Sequence, residues 1–162
     1  MEHTECKATF GDSREDLPDV DTGQEFSIQP GVFIPSDVLQ VFNAHFLDYD
    51  FARLWILKRL HPAGAFCPRC GVPVPNHKLR RFWSAGRLSC LTCGKFFTAL
   101  TDTFIAGCQL DFRNLVLLSV LLALGVHDRQ TAAIVGMCPD NVRLWRYKFE
   151  SFRKTSDIKL SL

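Results

Sequence analysis

Apolar residues recur at helical spacing near the start of the ordered-looking part of this chain and again through its last third, with a short strand-like stretch between. After Pro35, residues Val38, Leu39, Val41, Phe42 and Phe46 keep helical spacing, and Ser36 is placed to cap them. A second helix, FARLWILKRL, is expected after Asp48 or Asp50. It turns Phe51, Leu54, Trp55 and Leu57 inward, carries Lys58 and Arg59 in its last turn, and is stopped by Pro62 and Gly64. LRRFWSAGRLSC reads as two strand-like runs about a turn at Ser84, Ala85 and Gly86, and KFFTALTDT as a further strand. Asp111 then caps FRNLVLLSVLLAL, which Gly125 ends. Asp128 caps RQTAAIV, and GMC separates it from a long helix with Pro139 at its first position, where a missing N–H costs nothing.

The longest apolar run, Leu115 to Val126, includes Ser119 and is far shorter than the roughly 18 residues a bilayer span requires. It predicts a buried helix. The first residues are acidic and lack the apolar stretch of a secretory signal, so a cytoplasmic protein is expected, nucleoid-associated if the source is prokaryotic, with no membrane partner. The net charge of +2 conceals a division: residues 1–30 sum to −6, residues 31–66 to zero, and residues 67–162 to +8. An acidic tail, expected to be disordered, therefore precedes a basic body, and a basic body supplies the sequence-independent part of nucleic-acid affinity through counterion release.

Seven cysteines sharpen the picture. Disulfides, a redox couple and a metal cage compete, and a cytosolic chain with an odd count favours the metal. A thioredoxin-like couple would use one Cys-x-x-Cys in a βαβ unit, whereas this chain has two pairs and no such unit. Cys67 and Cys70, then Cys90 and Cys93, have the spacing of a four-thiolate structural zinc site, with Gly71 and Gly94 free to take the positive φ that closes each turn. One structural Zn²⁺ is the cofactor expected. Four thiolates leave no open position for catalysis. His61 and His77 flank the pairs and are read as surface residues, while Cys6, Cys108 and Cys138 are read as small apolar or capping residues.

Helix, short glycine-containing turn and helix is the helix-turn-helix pattern. In its second helix Val142, Trp145, Phe149 and Phe152 should face the core, leaving Asn141, Arg143, Arg146, Lys148 and Arg153 outside. Asn141 suits adenine and Arg143 or Arg146 suits guanine, each good bidentate pair giving about 1–3 kcal/mol of discrimination. Arg129 and Lys148 suit phosphate, which positions without specifying. Asp140 at the helix start counts against this reading, because it would repel phosphate unless it accepts from a cytosine amino group. Arg80, Arg81, Arg87 and Lys95 are candidate backbone grips on the cysteine module.

In their order, ARLWILKRLHPAGAFCPRCG, RRFWSAGRLSCLTCGKFFTALTDTFIAG, LDFRNLVLLSVLLALGV and TAAIVGMCPDNVRLWR resemble the N-terminal zinc-ribbon and helix-turn-helix region of insertion-sequence transposases of the DDE type. They are similar also to the InsA-like DNA-binding regulators. The resemblance covers roughly residues 48–150. It implies zinc on Cys67, Cys70, Cys90 and Cys93 and DNA reading by the segment from Pro139 to Lys148. Only 69 residues follow Cys93 in this sequence, so the carboxylate-triad catalytic domain of those transposases is not expected within it.

The expected fold is mainly α with a small β zinc ribbon. It divides into an acidic tail (1–30), two bracing helices (31–64), the ribbon (65–107) and the helix-turn-helix (108–162). The expected function is zinc-dependent, sequence-preferring binding of double-stranded DNA by a transposase-derived regulator or transposition accessory that is not itself an enzyme. The alternatives are an adaptor or inhibitor acting on a protein partner or a transposase through ribbon and tail, and an RNA-binding regulator using the bases and aromatics of RRFW. A homodimer would suit paired half-sites.

Overall fold

The computed structural model describes residues 33–160, the side chains as far as Arg153. The acidic tail and Cys6 lie outside the described residues. Six helices and one two-stranded antiparallel sheet follow in the order α1 (Pro35–Val41), a 3₁₀ turn (Ala44–Leu47), α2 (Tyr49–Leu60), α3 (Asn76–Trp83), β1 (Leu88–Ser89), β2 (Phe96–Phe97), α4 (Phe112–Ala123), α5 (Asp128–Val135) and α6 (Pro139–Leu160). The chain is mainly α, as the apolar spacing predicts.

α4 is the organising element. Phe112, Leu115, Val116, Leu118, Val120, Leu121 and Leu122 are all buried, so it is apolar around most of its circumference and accepts neighbours on several sides. It packs against α1, α2 and α5. Ser119, fully buried among these residues, donates its hydroxyl to the Leu115 carbonyl at 2.8 Å, which satisfies its polar atom within the helix. Asp111 caps the start as expected, its carboxylate accepting from the Arg113 N–H at 2.7 Å. No helix among the described residues is long and apolar enough to cross a membrane.

Buried side chains form one cluster from Phe33 to Phe149. Phe33 joins the ends of the described chain, with ring centroids 6.1 Å from Trp55, 5.9 Å from Phe104 and 5.6 Å from Phe149. The edge-on contacts with Trp55 and Phe149 add about 0.5–1.5 kcal/mol each beyond the area they bury. The segment entering α1 is thereby fastened to α2, to the loop before α4, and to α6.

Three local expectations need correction. Ser36 does not cap α1: Ile34 occupies the cap position without a side-chain bond, and Pro35 starts the helix, where its fixed φ already suits the first turn. Phe46 belongs to the 3₁₀ turn, because Asn43 interrupts α1 and caps the turn by accepting from the His45 N–H. Of the two expected caps of α2, Asp48 serves, accepting from the Phe51 N–H at 2.7 Å. The run LRRFW is helical, the body of α3, and only the residues after the turn pair as a strand.

Candidate metal centre and the paired C-terminal helices

Each Cys-x-x-Cys pair builds the same turn. At the first, the Cys67 N–H donates to the Val72 carbonyl at 2.9 Å and the Gly71 N–H to the Cys67 carbonyl at 2.9 Å. At the second, the Cys90 N–H donates to the Lys95 carbonyl at 2.9 Å and the Gly94 N–H to the Cys90 carbonyl at 3.0 Å. Gly71 and Gly94 take φ of +70° and +67°, a left-handed conformation that disfavours any residue with a Cβ. Extended backbone flanks both turns, with a Phe66–Pro73 bridge at one and the β1–β2 pairs Leu88–Phe97 and Ser89–Phe96 at the other.

The two turns face each other. All four Sγ atoms lie within 4.8 Å of one another, with Cys67 to Cys93 at 3.7 Å and Cys70 to Cys90 at 3.6 Å. Disulfide sulfurs would stand about 2.05 Å apart. A tetrahedral ion with bonds of about 2.3 Å to sulfur sets the sulfurs roughly 3.8 Å apart, which these two separations match. The four cysteines can therefore hold one metal ion, with soft thiolate donors on every side. His61 and His77 stay outside the set. His77 is exposed as expected, but His61 is half-buried, its Nε2 2.6 Å from the Ala99 carbonyl oxygen and its ring 5.0 Å from that of Phe82.

The sulfurs are electrostatically unequal. Backbone N–H groups of Cys93 and Thr92 hold Cys90 down to about 6, against opposing burial. At Cys67, burial raises the thiol, but the N–H groups of Cys70 and Arg69 outweigh it and the net direction is down. Cys70 moves the other way, to about 12: the Val72 N–H lowers it, but burial and the sulfurs of Cys90, Cys67 and Cys93 outweigh that donor. Protons are thus shared unequally across the cluster, as in a set of thiols whose ion must displace them to bind. Cys108 lies apart, accepting from the Leu110 N–H at 3.4 Å, and Cys138 supplies the carbonyl that accepts from Asn141 and Val142 at the start of α6.

Around the cluster, Arg80 and Arg81 are exposed on α3. The Arg87 guanidinium lies 4.6 Å from the Phe96 ring centroid, and Phe96 is 61% exposed although it sits in a strand. Lys95 reaches Asp102 at 3.3 Å. Lys78, which the sequence did not single out, anchors the module by donating to the Ser89 carbonyl at 3.1 Å.

Helices α5 and α6 pack together across a three-residue break. Gly136 closes α5 in the left-handed region (φ +75°, ψ +41°), and the N–H groups of Gly136 and Met137 both donate to the Ala132 carbonyl. Val142, Trp145 and Phe149 are buried as their spacing requires, and Phe152 is partly buried with its ring 4.2 Å from that of Phe104. Asp128 is not the cap of α5. His127 holds that position, with its Nδ1 accepting from the Arg129 N–H at 3.3 Å, and Asp128 is the first helical residue.

That one-residue shift releases Asp128 for a different role. Its carboxylate accepts from Arg146 at 2.8 Å and pairs with Arg143 at 3.6 Å, clamping the start of α5 to α6. The Arg146 guanidinium holds the Asp128 carboxyl below the usual range in spite of its burial. Arg143 also reaches Asp140 at 2.9 Å, yet its side chain stays 67% exposed, against 37% for Arg146.

The candidate DNA-contacting residues therefore divide. At about 100° per residue, Asn141 and Lys148 fall on one flank of α6, where the Lys148 ammonium sits 4.7 Å from the Trp145 ring centroid. Arg146 and Arg153 fall on the other flank, toward the Asp128 clamp. Only Arg143 among the named cations approaches the line directly opposite the buried stripe, which it shares with Asp140, Leu144 and Tyr147. Sequence reasoning passed over Leu144 and Tyr147; their placement between buried positions was the available signal. Arg129 is exposed on α5. Compared with protein-family models, curated proteins and solved structures, the chain matches none.

Proposed function

We propose that this protein is a zinc-dependent, sequence-preferring reader of double-stranded DNA, a transposase-derived regulator or transposition accessory. The observation that carries the reading is the α5–α6 pair. A left-handed Gly136 ends one helix and Pro139 starts the next, Val142, Trp145 and Phe149 are buried, and Arg143 stands out from the exposed side. This supports a helix-turn-helix whose second helix enters the major groove. Arg143 is the base-reading cation, Arg146 a brace held by Asp128, and Arg129 and Lys148 phosphate contacts.

Zinc is the ion the four thiolates suit, by their number and by the spacing of their sulfurs. Bound there, it supplies folding energy to a ribbon too small to hold itself by apolar burial. Arg80, Arg81 and Arg87 then present positive charge from a rigid support.

The test is selection from a random duplex pool by the zinc-loaded protein at about physiological salt, where non-specific affinity is already weak. An enriched motif is the expected result, and its symmetry reports whether the reader is a homodimer. Failure to enrich any motif would overturn the reading.

A second reading has its own observation. Leu91 and Phe96 are exposed on the cysteine module, as on a surface that docks a protein partner. Retention on a protein at high salt, with no retention on duplex DNA, would favour that adaptor. Preference for single strands over duplex would instead favour RNA, with bases stacking on Phe96 and the Arg87 plane.

A further inference from the structure

Asp140, Arg143, Leu144 and Tyr147 stand at i, i+3, i+4 and i+7 on α6, so they form one stripe opposite Val142, Trp145 and Phe149. Leu144 is 51% exposed and Tyr147 is 69% exposed. A leucine held in water beside an arginine, on a helix that already buries Val142, Trp145 and Phe149 on its other side, has no role in the core of this fold.

The stripe is mixed in character. Arg143 brings a guanidinium, Leu144 a branched apolar tip one residue on, and Tyr147 an aromatic ring and hydroxyl one turn further along. One leucine and one tyrosine amount to a small fraction of the roughly 800 Å² per partner that a stable protein interface covers. Arg129 on the neighbouring helix and Arg146 and Lys148 on the two flanks bring positive charge that complements a phosphate-lined groove, while Asp140, one turn before Leu144, is paired with Arg143 at 2.9 Å and Glu150 is exposed beyond Tyr147. In the major groove the one apolar feature of a base edge is the thymine 5-methyl group, and an aliphatic tip beside a guanine-reading arginine matches it.

We propose that Leu144 is a specificity-determining residue that reads a thymine methyl group in duplex DNA, next to the base pair read by Arg143. This rests on the DNA-reading function proposed above and adds to it the chemistry of one position. Tyr147 closes the contact on the side away from Arg143 and places its hydroxyl toward the DNA backbone.

The test uses the full zinc-loaded protein and the duplex motif it selects. Each thymine is replaced in turn by deoxyuridine, which removes the methyl group and leaves every hydrogen-bonding atom in place. At one position the wild-type protein should lose about fourfold in affinity, the worth of one buried methyl-sized group. Leu144→Ala should bind the thymine and deoxyuridine duplexes equally while keeping its Arg143-dependent position. Because Leu144 is exposed, this substitution leaves the melting temperature of the protein essentially unchanged. Retained motif selection with no sensitivity to deoxyuridine anywhere would overturn the methyl contact and leave the DNA reading standing. So would unchanged sensitivity in Leu144→Ala, or loss of a dimer in Leu144→Ala without any methyl effect, which would make the stripe a protein interface. Absence of any selected motif would sink both proposals.

Discussion

The cysteine module and the C-terminal helices solve the same problem of order in opposite ways. Between Cys67 and Phe97 only Cys67, Val74, Phe82, Leu88 and Phe97 are buried, the two strands are two residues each, and four sulfurs converge on one point. From Phe112 onward no metal cluster lies among the described residues, and α4 alone buries seven apolar side chains. One region has the donors for a metal ion to hold it, and the other is held by burial. The contrast teaches where each is vulnerable and what each can present: the module offers charge beside four cysteines that can hold an ion, and the helical pair offers a shaped edge.

Removal of the ion should have the largest effect. Structural zinc contributes roughly 10–16 kcal/mol of apparent binding energy in small zinc-folded units, more than the whole stability of an ordinary domain. Chelation, or Cys90→Ser, is expected to unfold the β1–β2 region while α4, α5 and α6 stay helical. Amide exchange mapped along the chain would check this; equal loss of protection in both regions would erase the distinction.

Next in size is an attack on burial. Trp145→Ala should cost about 3–5 kcal/mol, with thermal melting as the readout, and should leave the metal stoichiometry at one ion. Gly136→Ala is smaller, about 1–2 kcal/mol, because alanine resists the left-handed conformation although nothing lies within 4 Å of an added Cβ. Melting measurements on the two variants should preserve that order.

The smallest effect concerns the clamp. Asp128 is held below its ordinary value of 3.8 by Arg146, so its contribution to stability is complete above that value and is lost as pH falls through the lowered one. The difference in melting temperature between wild type and Asp128→Asn should be constant near neutrality and shrink in strong acid. A difference that grew on acidification would contradict the pairing.

Legibility in the sequence follows the same division. The four-sulfur cluster could be anticipated because its information is local: two residues between the cysteines and a glycine after each pair define each turn. Helix α4 was equally plain, since an unbroken apolar run bounded by Asp111 and Gly125 admits few alternatives. The strand expected at LRRFW failed because the preference of Phe82 and Trp83 for strands yielded to packing. As part of α3, Phe82 is buried with its ring near those of His61 and Phe97, neighbours that only the fold assembles. Asp128 looked like a helix cap for the same reason: its attachment to Arg146 exists only once α6 lies along α5. The outward line of α6 was in principle readable, but charge drew notice to Arg146 and Lys148 and away from the uncharged Leu144.

The most direct test of the central claim, that the outer face of α6 reads duplex sequence, runs the DNA selection with wild type, Arg143→Ala and Lys148→Ala side by side. The account predicts one motif for wild type, the same motif relaxed at a single position for Arg143→Ala, and an unchanged motif with uniformly weaker binding for Lys148→Ala. Identical motifs from wild type and Arg143→Ala, or uniform weakening by both substitutions, would contradict it.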